Sequence, residues 1–265
     1  MYHNIKIENI SPSVAKELLS TVPDYQRKIK GSYVLKLAAE MAKGAWGLSP
    51  DALVIMKGAL VNGQHRLSAL VRVGRQFPFI VLTTKDEGIY GITDQGVKRT
   101  IADIIHVPHG GVISAAAKLV VEFKKGLITP HGRTWNSVNI CTNSDIIDYA
   151  NKNMEELSES AALASRLYGK KPILSKRMAS ALIEIGRNKS KQKAVLFVTR
   201  IYEGGGENDA AYDMRERLIK NSASNLKLNQ SYVFGLLMKS MKSYFNGTRT
   251  GVLKITDGEK FPTFD

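Results

Sequence analysis

Within residues 57–72, Lys-Gly-Ala-Leu-Val-Asn-Gly-Gln-His-Arg-Leu-Ser-Ala-Leu-Val-Arg, the hydrophobic period changes from that of a strand to that of a helix across one Asn-Gly step. Residues 59–61 form a short apolar run, and Asn62-Gly63 supplies a turn that few other residue pairs allow. Beyond it Leu67, Leu70 and Val71 share one helical face. A strand that delivers a helix N-terminus in this way is a strong constraint on the fold. It places Gln64, His65 and Arg66 in the first helical turn, where backbone N–H groups lack intrahelical partners and the helix dipole favours an anion. Arg66 adds a forked donor suited to phosphate oxygens. The same residues also fit an ordinary turn, a capped histidine and a solvated cation, and the spacing alone leaves both readings open.

The preceding segment reads as a short opening strand with Ile5, Ile7 and Ile10, then a helix opened by Ser11 as cap and Pro12 at its first position. Residues 22–24, Val-Pro-Asp, break that helix, and Tyr25-Gln26-Arg27-Lys28 forms a polar, basic loop. Ser32 is expected to cap a second helix, whose stripe of Val34, Leu37, Ala38, Met41 and Ala42 faces inward, with Trp46 packing over its end. Residues 52–56 and 59–61 read as strands joined by a tight Lys57-Gly58 hairpin, and residues 77–82 as a further buried strand. Thr100-x-x-Asp103 has the form of a capping box. It lies just after Asp94-Gln95-Gly96, Lys98 and Arg99, so a second helix start is presented beside basic residues. If both helix starts faced one cleft, Arg66, Lys98 and Arg99 would surround a triphosphate, with Asp94 available for Mg²⁺ or for polarising a nucleophile. Asp94-x-Gly96 is equally accounted for as turn chemistry, with Lys98 and Arg99 exposed.

The stretch Gly-Gln-His-Arg-Leu-x-Ala at residues 63–69 resembles the signature of the ParB/sulfiredoxin-like superfamily. The likeness extends upstream from Tyr25-Gln26-Arg27-Lys28 to Lys43-Gly-Ala-Trp46, and downstream to residues 93–100, Thr-Asp-Gln-Gly-Val-Lys-Arg-Thr. It covers about the first 105 residues and departs at Asn62, where the Asp-Gly-Gln-His-Arg subgroup carries aspartate. The resemblance implies an α+β nucleotide-binding domain with a small mixed sheet over residues 1–108. It implies CTP or ATP with Mg²⁺ as cofactors, held by Arg27, Gly63, Gln64, His65, Arg66, Lys98 and Arg99. Slow NTPase activity would then rest on Asp94 and His65. Similar Asp-Gly-Gln-His-Arg domains belong to DNA-modification systems, and the chain as a whole resembles uncharacterised phage and bacterial proteins of this kind.

From Val112 onward strand signals largely vanish, and the His106-Val-Pro-His109-Gly-Gly punctuation suggests a boundary, with a mainly helical domain over residues 109–265. A linking helix spans 112–123, residues 126–142 are irregular, and helical periodicity follows over 144–150, 154–167, 175–186, 191–202, 210–220 and 231–245. Two of these, joined near Lys189, could form a helix-turn-helix-like pair that offers Lys176, Arg177, Arg187 and Lys191 to DNA; a plain bundle with solvated cations fits as well.

The formal net charge of +14 favours a polyanionic partner, most often nucleic acid. Residues 1–130 hold 17 Lys/Arg against 10 Asp/Glu and residues 131–265 hold 21 against 14, so the excess is not confined to a basic tail. Single Cys141 excludes an internal disulfide, no Cys/His cluster has zinc spacing, and no apolar run approaches a membrane span. The expectation is a cytoplasmic, metal-free, DNA-binding nucleotide switch, with a homodimer as an admissible assembly. Alternatives on the same fold are a small-molecule kinase with Asp94 as base, and a nuclease. Sulfiredoxin chemistry is disfavoured because Gln64 stands beside the His-Arg pair and Cys141 is far away in sequence.

Overall fold

The computed structural model describes residues 3–89, 100–134, 139–205, 209–224, 228–249, 253–256 and 259–263. The chain is mixed α+β and divides into two compact units, Met1–Lys98 with Asn136–Ser144, and Arg99–Trp135 with Asp145–Asp265.

The first unit begins with β1 (His3–Ile10) and α1 (Pro12–Ser20), where the Ser11 side chain accepts from the Val14 N–H and Pro12 occupies the first turn as expected. Next come α2 (Gly31–Ala42), β2 (Leu53–Met56), β3 (Ala59–Asn62), α3 (Gln64–Val73) and β4 (Phe77–Thr84). The sheet order is β1-β4-β2-β3. β2 and β3 are an antiparallel hairpin turning at Lys57-Gly58, β2 lies parallel to β4, and β1 lies antiparallel to β4. The core packs one sheet face and the three helices together through Leu53, Leu60, Phe79 and Val81, Ala15, Met41, Leu67 and Leu70. Trp46 packs against Phe79, with ring centroids 5.8 Å apart. Ser32 does not cap α2; the helix opens two residues earlier than that cap would place it, with Lys30 at the cap position and no side-chain cap bond. Residues 139–144 belong to this unit too: Lys43 Nζ donates to Thr142 Oγ1 at 3.3 Å, and Glu40 Oε1 accepts from the Ser144 N–H at 2.9 Å.

The second unit is helical apart from a two-residue ladder between β5 (Ile128–Thr129) and β6 (Gly132–Arg133). Its helices are α4 (Ile101–Ile105), α5 (Gly110–Lys124), α6 (Asn143–Lys152, which starts in the first unit), α7 (Met154–Lys170), α8 (Lys176–Glu203), α9 (Ala210–Ala223) and α10 (Gln230–Phe245). Thr100 and Asp103 form the expected reciprocal capping box on α4. α8 packs against α5, α7, α9 and α10, and its leading half is buried almost throughout residues 178–186.

α8 breaks at Ser190, whose extended backbone (φ −165°, ψ 109°) interrupts the helix, and the Ser190 Oγ accepts from the Lys193 N–H at 3.2 Å to restart it. The two arms fold so closely that a Cβ on Gly186 would lie 2.8 Å from Ala194 Cβ. Glycine at 186 is therefore a packing requirement. The two helices read from the sequence over 175–186 and 191–202 are present, with a single residue serving as their joint.

Candidate functional site

Gly63 lies at the point where β3 becomes α3, with φ 113°, a backbone region that L side chains rarely adopt. A Cβ there would overlap Leu53 Cδ2 in the neighbouring strand. Glycine is thus needed twice, for the turn and for the close approach of the helix start to β2. α3 carries no side-chain cap on its first turn.

The three following side chains fasten loops around that helix start. Gln64 is buried and its Nε2 donates to the Arg27 carbonyl at 2.7 Å. His65, also buried, accepts from the Lys30 N–H through Nε2 at 3.0 Å, which places the neutral imidazole's proton on Nδ1. The His65 ring meets Tyr33 edge-on at 5.5 Å. Arg66 donates to the Ala52 carbonyl at 2.9 Å and also to the Asp51 carbonyl. Gln26 Nε2 reaches the Val61 carbonyl at 2.7 Å, and Asn62 Nδ2 reaches Ala52 at 3.2 Å. Two loops, residues 23–30 and 49–52, are consequently held against one helix N-terminus by backbone-directed side chains.

The outer side of the first loop has a different chemistry. Tyr25 is 61% exposed and Tyr33 43%, and Arg27, Lys28 and Lys30 are exposed between them. A basic, aromatic rim is therefore fixed beside the start of α3. Asp94, Lys98 and Arg99 lie outside the described residues, and the helix opened by Thr100 belongs to the second unit.

Loss of the His65 ring acceptor should loosen the loop before it loosens the unit. His65→Ala is expected to accelerate amide exchange of residues 26–30 about tenfold, equivalent to one net hydrogen bond. Exchange measured by mass spectrometry would show instead a uniform change over β2, β3 and β4 if the histidine were only core filling.

In the second unit the four cations singled out for DNA have distinct surroundings. Lys176 Nζ lies 5.2 Å from the Tyr168 ring centroid, and Arg177 beside it is half-buried. Arg187 is drawn between α7 and α8, with guanidinium nitrogens 3.3 Å from Glu156, 3.8 Å from Glu159 and 3.4 Å from Glu184. Lys191 pairs with Glu159 at 2.5 Å. Arg187 thus has its charge balanced inside the unit, a role the sequence reading missed, while Lys176 and Arg177 remain at the helix start. Burial pushes the Glu184 carboxyl up to about 7, opposed by a hydrogen bond from Ser160 and raised further by Glu159. No group of three or more His, Cys, Asp or Glu among the described residues could hold a metal ion, and none of their helices is long and apolar enough to cross a membrane.

No protein-family model, curated protein or solved structure matched the chain.

Proposed function

We propose that the chain is a nucleotide-binding protein that associates with DNA, and that its first unit holds the triphosphate of CTP or ATP, with Mg²⁺, at the start of α3. The observation that carries this is the exposed rim of Tyr25, Arg27, Lys28 and Lys30, fixed beside a glycine-opened helix N-terminus by Gln64 and His65. A helix start favours anions through its dipole and its first-turn N–H groups, and a guanidinium on a fixed loop adds a charge-assisted contact. In this reading Arg27 meets phosphate, whereas Gln64, His65 and Arg66 position the loops beside the start of α3. The ParB/sulfiredoxin-like look of residues 63–69 supports the same assignment, and nucleotide occupancy would switch the DNA-bound state, with slow hydrolysis resetting it. The +14 charge, present in both halves of the sequence, supports a polyanionic partner, with Lys176 and Arg177 as contacts in the second unit.

Calorimetric titration of ATP, CTP, GTP and UTP with Mg²⁺ tests the first part. One nucleotide should bind with micromolar affinity; Arg27→Ala should weaken it about tenfold, as expected for one charge-assisted phosphate contact. Arg66→Ala should weaken it at least as much, by releasing residues 51 and 52. Absence of binding by the wild type to all four would overturn the nucleotide assignment. For the second part, duplex DNA should bind at about 50 mM salt and lose several orders of magnitude in affinity by about 200 mM. A protein that ignores duplex DNA at the lower salt would not be a DNA-binding protein.

A further inference from the structure

β1 is an outer strand: it is paired on one side with β4, and among the described residues no strand lies on its other side. It is eight residues long and, apart from Ile10 and the half-buried Glu8, exposed throughout. Ile5 and Ile7 are 67% and 65% exposed. The pleat puts them on the sheet face away from the core, beside Leu82 and Ile80 of β4, which are their register partners. Lys6 and Glu8 project from the other face, opposite Val81 and Phe79, and form an ion pair with each other.

Long edges with unpaired N–H and C=O groups are templates for another strand, and proteins that keep them single use proline, bulges, a covering segment or charged side chains, inward-pointing ones included. β1 contains neither proline nor bulge, and the two charges on its core-facing side, Lys6 and Glu8, balance each other. The order of these side chains is self-complementary. A two-fold axis through Ile7 pairs residues 4–10 of two antiparallel copies, an overlap equalled only by an axis through Lys6. It sets each Lys6 against the other copy's Glu8 and brings the two Ile7 side chains together. Axes through Lys6 or Glu8 would oppose like charges.

We propose that β1 is a self-association edge, and that a second copy of this chain adds its own β1 antiparallel across Ile7. Two small sheets then become one continuous sheet, and the apolar strip of Ile5, Ile7, Ile80 and Leu82 continues from one copy into the next. This edge pairing requires neither nucleotide nor DNA.

Sedimentation velocity on nuclease-treated full-length protein, over about 5–200 µM, tests it. The wild type should show a concentration-dependent dimer. Lys6→Glu and Glu8→Lys should each weaken that dimer at least about tenfold, because each turns two cross-strand attractions into two repulsions. Mixing the two variants in equal amounts should restore the dimer, since every Glu then faces a Lys. Ile7→Asp should leave monomer. These positions are exposed or, for Glu8, half-buried at the sheet edge, so each variant should still melt cooperatively, lowered only by the stabilisation that the dimer lends the wild type. A wild type that is monomeric throughout, single variants that dimerise as well as wild type, or a mixture that stays monomeric would each overturn the proposal.

Discussion

Gly63→Ala is expected to destabilise the first unit by about 4 kcal/mol, combining backbone strain of about 2 kcal/mol with a similar cost for overpacking. The first contribution follows from φ 113°, and the second from a Cβ that would overlap Leu53 Cδ2. Leu53 is fully buried between sheet and helices, so it cannot swing away without opening a void or a clash elsewhere. Gly58→Ala is the matching control: its φ of 88° is equally unfavourable, but a Cβ there meets nothing within 4 Å. It should cost about 2 kcal/mol, from strain alone. Hydrogen exchange of the Leu70 and Phe79 amides would read both values for this unit separately. Equal costs at the two positions would mean that the contact with Leu53 is not what demands glycine at 63.

Arg187→Met should destabilise the second unit by about 3 kcal/mol at pH 8 and by distinctly less near pH 5.5. The reason is Glu184, which is only 5% exposed and shares Arg187 with the more open Glu156 and Glu159. Methionine would fill much of the same volume but leave the Glu184 carboxylate buried without its guanidinium. The pH dependence follows from the direction of its shift. The folded-state carboxyl titrates at about 7 against an ordinary value of 4.5, so the folded chain retains a proton that the unfolded chain releases. Stability from this group is full below about 4.5 and falls as pH rises through about 7. Lys124 and Lys191 soften the loss by attracting the ionised form, and Glu159 deepens it. Without Arg187 the ionised form is less favourable still, so the penalty grows with pH. Glu184→Gln should flatten the wild-type profile between pH 4.5 and 7. Urea unfolding at the two pH values decides the matter: an Arg187→Met cost that is the same at both would remove Glu184 from the explanation.

The sequence was most informative where the signals were local. Ser11-Pro12, the Lys57-Gly58 hairpin and the Thr100/Asp103 box each depend on residues within a few positions of one another, and each is found as read. The six helical segments after residue 143 follow from periodicity in the same way, with 175–186 and 191–202 joined at Ser190. What escaped was long-range. Ser32 looked like the better cap, but the Lys30 N–H is claimed by His65, 35 positions away, and the helix opens at Gly31 accordingly. Arg66 reads as a phosphate ligand because a guanidinium advertises charge, whereas the carbonyls of Asp51 and Ala52 that it meets have no signature in a sequence. Arg187 looked like a surface cation because nothing local shows that α7 brings Glu156 and Glu159 alongside it. The strand at Ile5, Ile7 and Ile10 was recognisable, yet parity separates Ile10 from the other two: only Ile10 is buried. Asp94, Lys98 and Arg99 fall outside the described residues.

The first unit is not contiguous along the chain: after β4 the polypeptide enters the second unit and returns through residues 139–144, where Thr142 and Ser144 meet Lys43 and Glu40. Order of synthesis therefore matters. A nascent chain that has emerged only as far as residue 108 already holds every strand of the main sheet, but still lacks the stretch that engages the C-terminal end of α2. Truncation there would yield a sheet with one side of α2 uncovered, and a protease cut between residues 100 and 134 would leave two fragments that both contribute to the same unit.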